Sequence, residues 1–505
     1  MSVLAATAQK IQTRAQYAVI AVLTLLIVLQ VVQSWSGPAA PNLQYANVAR
    51  DFKAFYCAGA TANAHKNPYL EAPFQRCGVP ENQPLPGFVR SGVWPAPLPP
   101  YDVAFFRFFA LFPYHVAASL WLLLSLAALW FAVIAISEMS GVAPLGVFAA
   151  LALTLYYGNL VWGQIPPIVV GALVTSAYAL RRTSYLLAGI SSVATLLEPN
   201  IGVPVCIAVF LWVPRTRLAI AAGAVVLALV SILTLGVAMN VSYFRTILPL
   251  QAMSQLPTNN QYSLAWLAYT LGASPHIALQ IGSASYIVMA VIGIWLARSA
   301  SRALRANELV PLIPAGAAVF GGAYVHLTQT NVAIVLGLLL LAYSRSPLIW
   351  IGVALQVPVW LIFTSERLFR LESTLAVATF VFFAASSDLL RRRLTAAALA
   401  GAVFLVLSSA IHHVPRVILR GPESPVAYAR QLGAHREFTA GADGVRTRAD
   451  VPYTTETLVS VVSKVPVWLG LAMILLATAR LRRPQSSAEF SVASSVRGES
   501  AQAVE

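Results

Sequence analysis

Arg50-Asp51-Phe52-Lys53-Ala54-Phe55-Tyr56-Cys57-Ala58-Gly59-Ala60 follows the first long apolar run of the chain. It opens a polar stretch that continues through Asn67-Pro68-Tyr69-Leu70 to Pro99-Pro100-Tyr101. Nearly everything else is apolar, so this loop of roughly sixty residues is the one large place with room for water-side chemistry. It sets Asp51 just beyond the edge of the first hydrophobic run. A carboxylate so close to hydrocarbon has a raised pKa unless a cation pairs with it, and raised carboxylates are the usual general bases. The competing reading is that Asp51 caps a short helix over Phe52–Asn63, since aspartate is a favoured N-cap.

Composition says what surrounds that loop. Of 505 residues, 58% are hydrophobic and only 10% are charged, with a mean hydropathy of +0.73. So little charge over such a length excludes an ordinary soluble domain and indicates an all-α polytopic membrane protein. The net charge of +15 comes from short arginine clusters between apolar runs, which read as topology and not as nucleic-acid binding. The first run, Tyr17–Val32, follows Lys10 and Arg14 with no convincing cleavage site behind it, so it is expected to stay as an anchor. Cys57 and Cys77 share the polar loop, whereas Cys206 lies in an apolar run. In an oxidising compartment the first two form a disulfide; two free thiols fit the pattern equally. No His or Cys stands at ligand spacing around them, so no metal site is expected.

Further runs suited to crossing hydrocarbon lie at Tyr114–Ser137, Leu218–Ala238, Ile277–Leu296, Pro347–Phe363, Leu375–Ser387, Leu394–Ile411 and Leu458–Ala479. Three longer regions are interrupted. Leu145–Ala179 is broken at Gly158-Asn159 and Gln164-Ile165-Pro166-Pro167, Tyr185–Trp212 at Glu198-Pro199-Asn200, and Leu309–Tyr343 at His326-Leu327-Thr328-Gln329. Each reads as two short spans meeting at a polar break, which gives roughly twelve to fourteen spans in all. One polytopic domain is expected over residues 1–483, with a catalytic outer loop at 36–103 and a second outer loop at 412–456. A disordered cytoplasmic tail is expected over 484–505, where apolar periodicity is lacking.

With the N-terminus in the cytoplasm, Arg181-Arg182, Arg215, Arg217, Arg298, Arg302, Arg305, Arg345, Arg391-Arg392-Arg393 and Arg480 all fall inside, as the positive-inside rule requires. The polar breaks then share the other face: the Asp51 loop, Gln164, Glu198, an outer loop over Asn240–Tyr262, His326 and the connector Ser365–Glu372. Ionisable residues at membrane depth are costly and usually functional. No nucleotide-binding signature occurs, so an activated group has to arrive in the lipid or from outside.

In order along the chain stand Asp51-Phe52, Tyr56, Ala58-Gly59, Asn67-Pro68-Tyr69, Pro99-Pro100, Gly163-Gln164-Ile165-Pro166-Pro167, Glu198-Pro199-Asn200 and Asn259-Asn260-Gln261-Tyr262-Ser263-Leu264. This series resembles glycosyltransferase family 87, over roughly residues 15–345. The resemblance implies a GT-C type bundle whose long first non-cytoplasmic loop carries short helices. It also implies transfer of a sugar, mannose or arabinofuranose, from a polyprenyl-phosphate carrier to a cell-envelope glycolipid or polysaccharide. Two departures stand out: the family's usual Lys-Pro is Glu198-Pro199, and its Tyr-Pro-Pro is Leu98-Pro99-Pro100.

The chemistry of the residues fits that implication. Transfer from a lipid phosphate needs a base for the acceptor hydroxyl, alignment at the anomeric carbon and positive charge for the departing phosphate. Asp51 is the candidate base, and a single displacement with one base inverts the anomeric centre. Tyr56, Gln164, Glu198, Asn260 and Gln261 are the candidates for holding substrate. His326, Lys53, Arg367 and Arg370 are the candidates for the donor phosphate. Neither a metal nor a cofactor is expected; the partners are the lipid-linked donor, the envelope acceptor and membrane lipid, with no nucleic acid. The expected location is the inner (plasma) membrane, with the active site on the periplasmic or extracellular face. Two alternatives remain: a transporter or flippase of lipid-linked sugars, and an accessory membrane protein with a degenerate site, which Glu198 would suit.

Overall fold

The computed structural model describes residues 3–35, 48–70, 76–77, 96–151, 157–256, 258, 261–344, 346–356, 417–420 and 453–481. Among these the chain is helical, apart from an isolated bridge and one short antiparallel pairing of β1 (Ile418–Arg420) with β2 (Tyr453–Thr454). Four of the described helical stretches are long and apolar enough to cross a membrane: Gln12–Trp35, Tyr114–Ser140, Pro214–Gln255 and Pro275–Leu304. Seven shorter apolar helices accompany them. The protein is thus an all-α polytopic membrane protein, as its composition requires. The spans expected at 375–387 and 394–411, the connector 365–372 and the tail 484–505 lie outside the described residues, as does nearly all of the second outer loop.

In chain order the helices that build the site are α1 (Val3–Trp35), α2 (Arg50–Asn63), α3 (Pro100–Phe109), α4 (Tyr114–Ser140), α5 (Pro166–Arg181), α6 (Tyr185–Ala194) and α7 (Pro199–Trp212). They continue with α8 (Arg217–Ser242), α9 (Leu248–Gln255), α10 (Pro275–Leu304), α11 (Leu309–Ala318) and α12 (Asn331–Leu340). Each interrupted region is two short helices meeting at a polar break: α6 and α7 at Glu198, α11 and α12 around His326. A short helix, Tyr157–Trp162, meets α5 at Gln164. Proline at the first helical position of α5, α7 and α10 gives up an amide that would have no intrahelical partner.

The two ends of these helices differ in chemistry. α5 begins behind Gln164 and ends at Arg181, about 24 Å away for its length. α7 begins behind Glu198 and is followed by Arg215 and Arg217; α10 begins at Pro275-His276 and carries Arg298 and Arg302 near its end. Arg298 stacks over the Trp212 ring at 4.6 Å, so the basic ends of α7 and α10 are neighbours. Polar breaks and arginines therefore occupy opposite ends of the same helices.

Packing inside a bilayer lacks the hydrophobic drive available in water and relies on close approach of small residues. A Cβ at Gly171 of α5 would come within 2.8 Å of the Ala128 Cβ of α4. The outer loop is attached more elaborately. Phe52 of α2 is completely buried, with its ring centroid 5.4 Å from Trp121 of α4, 5.8 Å from Phe109 and 6.2 Å from Phe106 of α3. Arg107 Nε donates to Asn63 Oδ1 at 2.8 Å and Asn63 Nδ2 donates to the Arg107 carbonyl at 3.1 Å, which fixes α3 along α2. Cys57 and Cys77 are joined by a disulfide, which settles the choice the sequence left open.

Two expectations are corrected here. The loop helix begins at Arg50, with Ala49 as its N-cap in a left-handed conformation, so Asp51 lies inside the first turn and does not cap the helix. The stretch expected as an outer loop from Asn240 is helical. α8 runs to Ser242, a π turn covers Tyr243–Ile247, and α9 follows. The backbone of Gly236 leaves the helix (φ 76°, ψ 166°), which bends the apolar segment without ending it. Asn240 Nδ2 donates to the Gly236 carbonyl at 2.8 Å and to the Ser231 carbonyl at 3.2 Å, occupying acceptors at the bend.

Gly163 tests how the loop is seated. Its φ is +70°, and a Cβ there would meet the Phe52 Cβ at 2.5 Å; its carbonyl accepts from Trp121 Nε1 at 3.0 Å. Gly163→Ala should therefore cost about 2–4 kcal/mol, combining backbone strain with overpacking. Gly141→Ala, at φ +74° with nothing within 4 Å of the added methyl, should cost only the backbone part, about 1–2 kcal/mol. Thermal unfolding of the two variants in the same detergent measures the difference.

Candidate active site

Beside Gly163, the neighbouring Gln164 side chain reaches the loop helix: its Nε2 donates to Asp51 Oδ2. Asp51 is half-buried on the wall of a cavity of about 1830 Å³. Withdrawal from water pushes its carboxyl up to about 6, against the opposing pull of Arg50 and the Gln164 amide. Arg50 lines the same wall, and burial lowers its pKa. The carboxylate is thus ionised near neutral pH yet basic enough to take a proton.

The second polar break faces the same space. Glu198 lies between α6 and α7 on the cavity wall, and Gln329 Nε2 donates to its Oε2 at 2.5 Å. The amide oxygen of Gln329 accepts from Asn200 Nδ2 at 3.0 Å and from the backbone amide of His326 at 3.0 Å. One buried glutamine therefore ties the break at Glu198 to the break at His326. Burial pushes Glu198 up to about 7, opposed by that hydrogen bond.

His326 also lines the cavity, as the N-cap of the short helical turn Leu327–Thr330. Its Nδ1 lies 2.9 Å from Thr328 Oγ1, and the Thr328 amide aims at the same nitrogen from 3.5 Å. The amide aimed at Nδ1 favours that atom as acceptor and the ring proton on Nε2. A backbone bridge pairs His326 with Gln261, and the Tyr262 amide donates to the Val325 carbonyl at 2.7 Å.

Helix after helix begins at this cavity. Arg50 and Asp51 open α2, Pro99 to Asp102 open α3, Gln164 and Ile165 precede α5, Glu198 precedes α7, His276 opens α10 and His326 precedes α12. The N-terminal ends carry partial positive charge, so their convergence favours an anion or a developing negative charge in the space between them. Another part of the lining is apolar: Leu227, Val237, Val241, Phe244 and Leu248 on and after α8, with Leu279 and Ile287 on α10.

Of the residues singled out from the sequence, Asp51, Gln164, Glu198 and His326 come together on this wall. Tyr56 does not line it; its hydroxyl donates to the Phe112 carbonyl at 2.9 Å and its ring packs on Tyr114. Lys53 is buried on α2 away from the lining. Gln261 is buried behind the wall, with its Oε1 accepting from the Val325 amide at 3.1 Å. Asn260, Arg367 and Arg370 lie outside the described residues.

The structure adds Arg50, Asn200, Gln329 and Asp102. Asn200 and Gln329 stand inside stretches already quoted for other residues, and the signal for Asp102 was its acidic side chain in the otherwise apolar opening of α3. Asp102 is wholly buried, lines the cavity and has its pKa held well above the ordinary carboxylate range by burial and by the nearby Glu198.

No curated protein and no solved structure matches the chain. Residues 98–313, running from the start of α3 into α11, match the model of glycosyltransferase family 87. The matched stretch contains Gln164 and Glu198 but stops short of Asp51 on one side and His326 on the other. Over that stretch the chain is similar to glycosyltransferase family 87, and its long apolar helices make it a membrane protein.

Proposed function

We propose that the cavity moves a sugar from a polyprenyl-phosphate carrier to a hydroxyl of an envelope glycolipid or polysaccharide, with Asp51 as the general base. The observation that carries this reading is the Asp51 carboxylate itself: half-buried, held by the Gln164 amide and raised to about 6 on the wall of a large cavity. Asp51 takes the proton as the acceptor oxygen forms its bond to the anomeric carbon. The bond from that carbon to the phosphate oxygen breaks with its electron pair, and attack from the opposite face inverts the centre.

The rest of the lining suits such a donor. Arg50, the converging helix N-termini and the Nε2 proton of His326 offer positive charge and hydrogen bonds to the departing phosphate. The apolar wall on α8 and α10 offers hydrocarbon contact for a prenyl chain. Those helices are themselves largely exposed along their other faces, as lipid-facing spans are. The disulfide between Cys57 and Cys77 supports a non-cytoplasmic position for the loop, since such bonds persist in oxidising compartments. The arginines at the far helix ends support the same orientation.

Asp51→Asn keeps the shape and the hydrogen bond from Gln164 but cannot take a proton. It should cut transfer by about 10²–10⁴-fold while leaving donor binding intact. The raised pKa also fixes a sign for stability. Because the folded pKa lies above the ordinary value of 3.8, the ionised carboxylate weakens the fold as pH rises through about 6. Asp51→Asn should therefore unfold no earlier than wild type at pH 8. Initial rates with polyprenyl-phosphate sugars, alongside thermal unfolding, check both; turnover near wild type would remove Asp51 from the mechanism.

Wild-type kcat should rise between pH 5 and 7 and level off above, because the base has to be ionised to act. Arg50→Gln should weaken binding of polyprenyl phosphate about tenfold, the value of one charge-assisted contact, with little change in acceptor KM. Donor binding with no transfer under any condition would instead favour the transporter or flippase.

A further inference from the structure

The cavity holds a carboxylate that the transfer step does not use. Neither oxygen of Asp102 accepts a hydrogen bond, although the side chain is 0% exposed and lines the cavity. An acidic residue at the third position of a helix ordinarily reaches back to the amide of the N-cap residue. That is impossible here, because the N-cap is Pro99 and the next residue is Pro100, and proline has no N–H. Two hydroxyls close by are engaged elsewhere: Tyr101 donates to the Leu196 carbonyl at 2.9 Å and Tyr69 to the Leu98 carbonyl at 2.6 Å. A buried carboxylate with nothing to accept from is costly, and folds retain such a group where a ligand completes it.

The surroundings narrow the ligand. Glu198 lies near enough for its charge to act on Asp102, and Tyr243, on the same wall, feels both. Neither carboxyl group offers the positive charge that a phosphate needs, so the donor phosphate does not belong at this spot. No group of three His, Cys, Asp or Glu side chains is placed to hold a metal ion among the described residues, which argues against a cation. What remains is a neutral, donor-rich molecule: hydroxyl groups donate to carboxylate oxygens and accept from a carboxylic acid. The two oxygens of one carboxylate are spaced to receive two adjacent hydroxyls.

We propose that Asp102, with Glu198 beside it, binds a pair of neighbouring hydroxyls on the acceptor sugar and so determines which acceptor is glycosylated. This rests on reading the cavity as a site of glycosyl transfer. Asp51 removes the proton from the reacting hydroxyl, while Asp102 holds hydroxyls that do not react.

The test uses the full-length protein in nanodiscs, as wild type, Asp102→Asn and Asp102→Leu. Binding of methyl α-mannopyranoside and methyl α-arabinofuranoside is followed by saturation-transfer NMR, transfer by initial rates, and folding by thermal unfolding without sugar. Asp102→Asn should raise the acceptor KM about tenfold or more, leave the donor KM unchanged and keep kcat within about threefold. Asp102→Leu should abolish the glycoside signal yet unfold at a temperature equal to or above that of wild type, because an unpaired buried carboxylate has been removed. An unchanged acceptor KM and glycoside signal in both variants would overturn the subsite, as would a change confined to the donor KM. So would a divalent ion that raises the unfolding temperature of wild type but not of Asp102→Asn. If wild type transfers no sugar while glycoside binding still depends on Asp102, the subsite stands and the transfer reading falls. If transfer is robust and Asp102→Asn leaves acceptor kinetics untouched, only the subsite falls.

Discussion

The site depends on how closely Phe52 approaches Gly163. Only a residue without a side chain permits that contact, since a Cβ would lie 2.5 Å from the Phe52 Cβ. The contact sets the first turn of the loop helix against the break before α5, and so brings Asp51 to the Gln164 amide. The aromatic rings around Phe52 hold the approach from the other side: Trp121 belongs to a spanning helix, Phe106 and Phe109 to α3. The helix α2 is thereby held to a membrane helix, and with it the carboxylate that faces the cavity.

Once the loop is locked, electrostatics follows from burial. Asp51, Glu198 and Asp102 are all withdrawn from water, and all three have raised pKa values. They differ in what opposes the shift. Asp51 has Arg50 and an amide, Glu198 has an amide alone, and Asp102 has neither. A graded series of carboxyl groups on one wall divides the labour: the best supported stays ionised as a base, and the least supported suits hydroxyl contacts. Raised pKa values limit the negative charge that the three carboxyl groups place on the cavity, and the converging helix N-termini favour what charge remains.

Glu198, where the resemblance implied a lysine, also takes on a physical meaning. Glu198 is held by Gln329, which also ties Asn200 and the His326 backbone into one network. The anion is accommodated by hydrogen bonds and not by an opposite charge.

Much of this was legible in the residues alone. Hydropathy fixed the polytopic class, arginine placement fixed which helix ends share a face, and the interruptions at Gln164, Glu198 and His326 marked where short helices meet. These are local properties, set by the cost of putting a polar backbone or a charge in hydrocarbon, and a sequence states them directly. Helix limits in the loop were less legible: a cap was the competing reading of Asp51 because its type suits one, yet the backbone of Ala49 turns first. Helical continuation past Asn240 was hidden as well, since an asparagine marks a loop unless its side chain returns to the backbone of the preceding turns. What only the tertiary structure decided was which polar groups meet. Lys53 and Tyr56 sit within one and two turns of Asp51 yet do not line the cavity, whereas Asp102, fifty-one positions on (102 − 51), does. Membership of the site is a matter of which helix face points inward and of what neighbouring amides remain to donate. Both depend on contacts far apart in the chain, so no stretch of sequence carries them by itself.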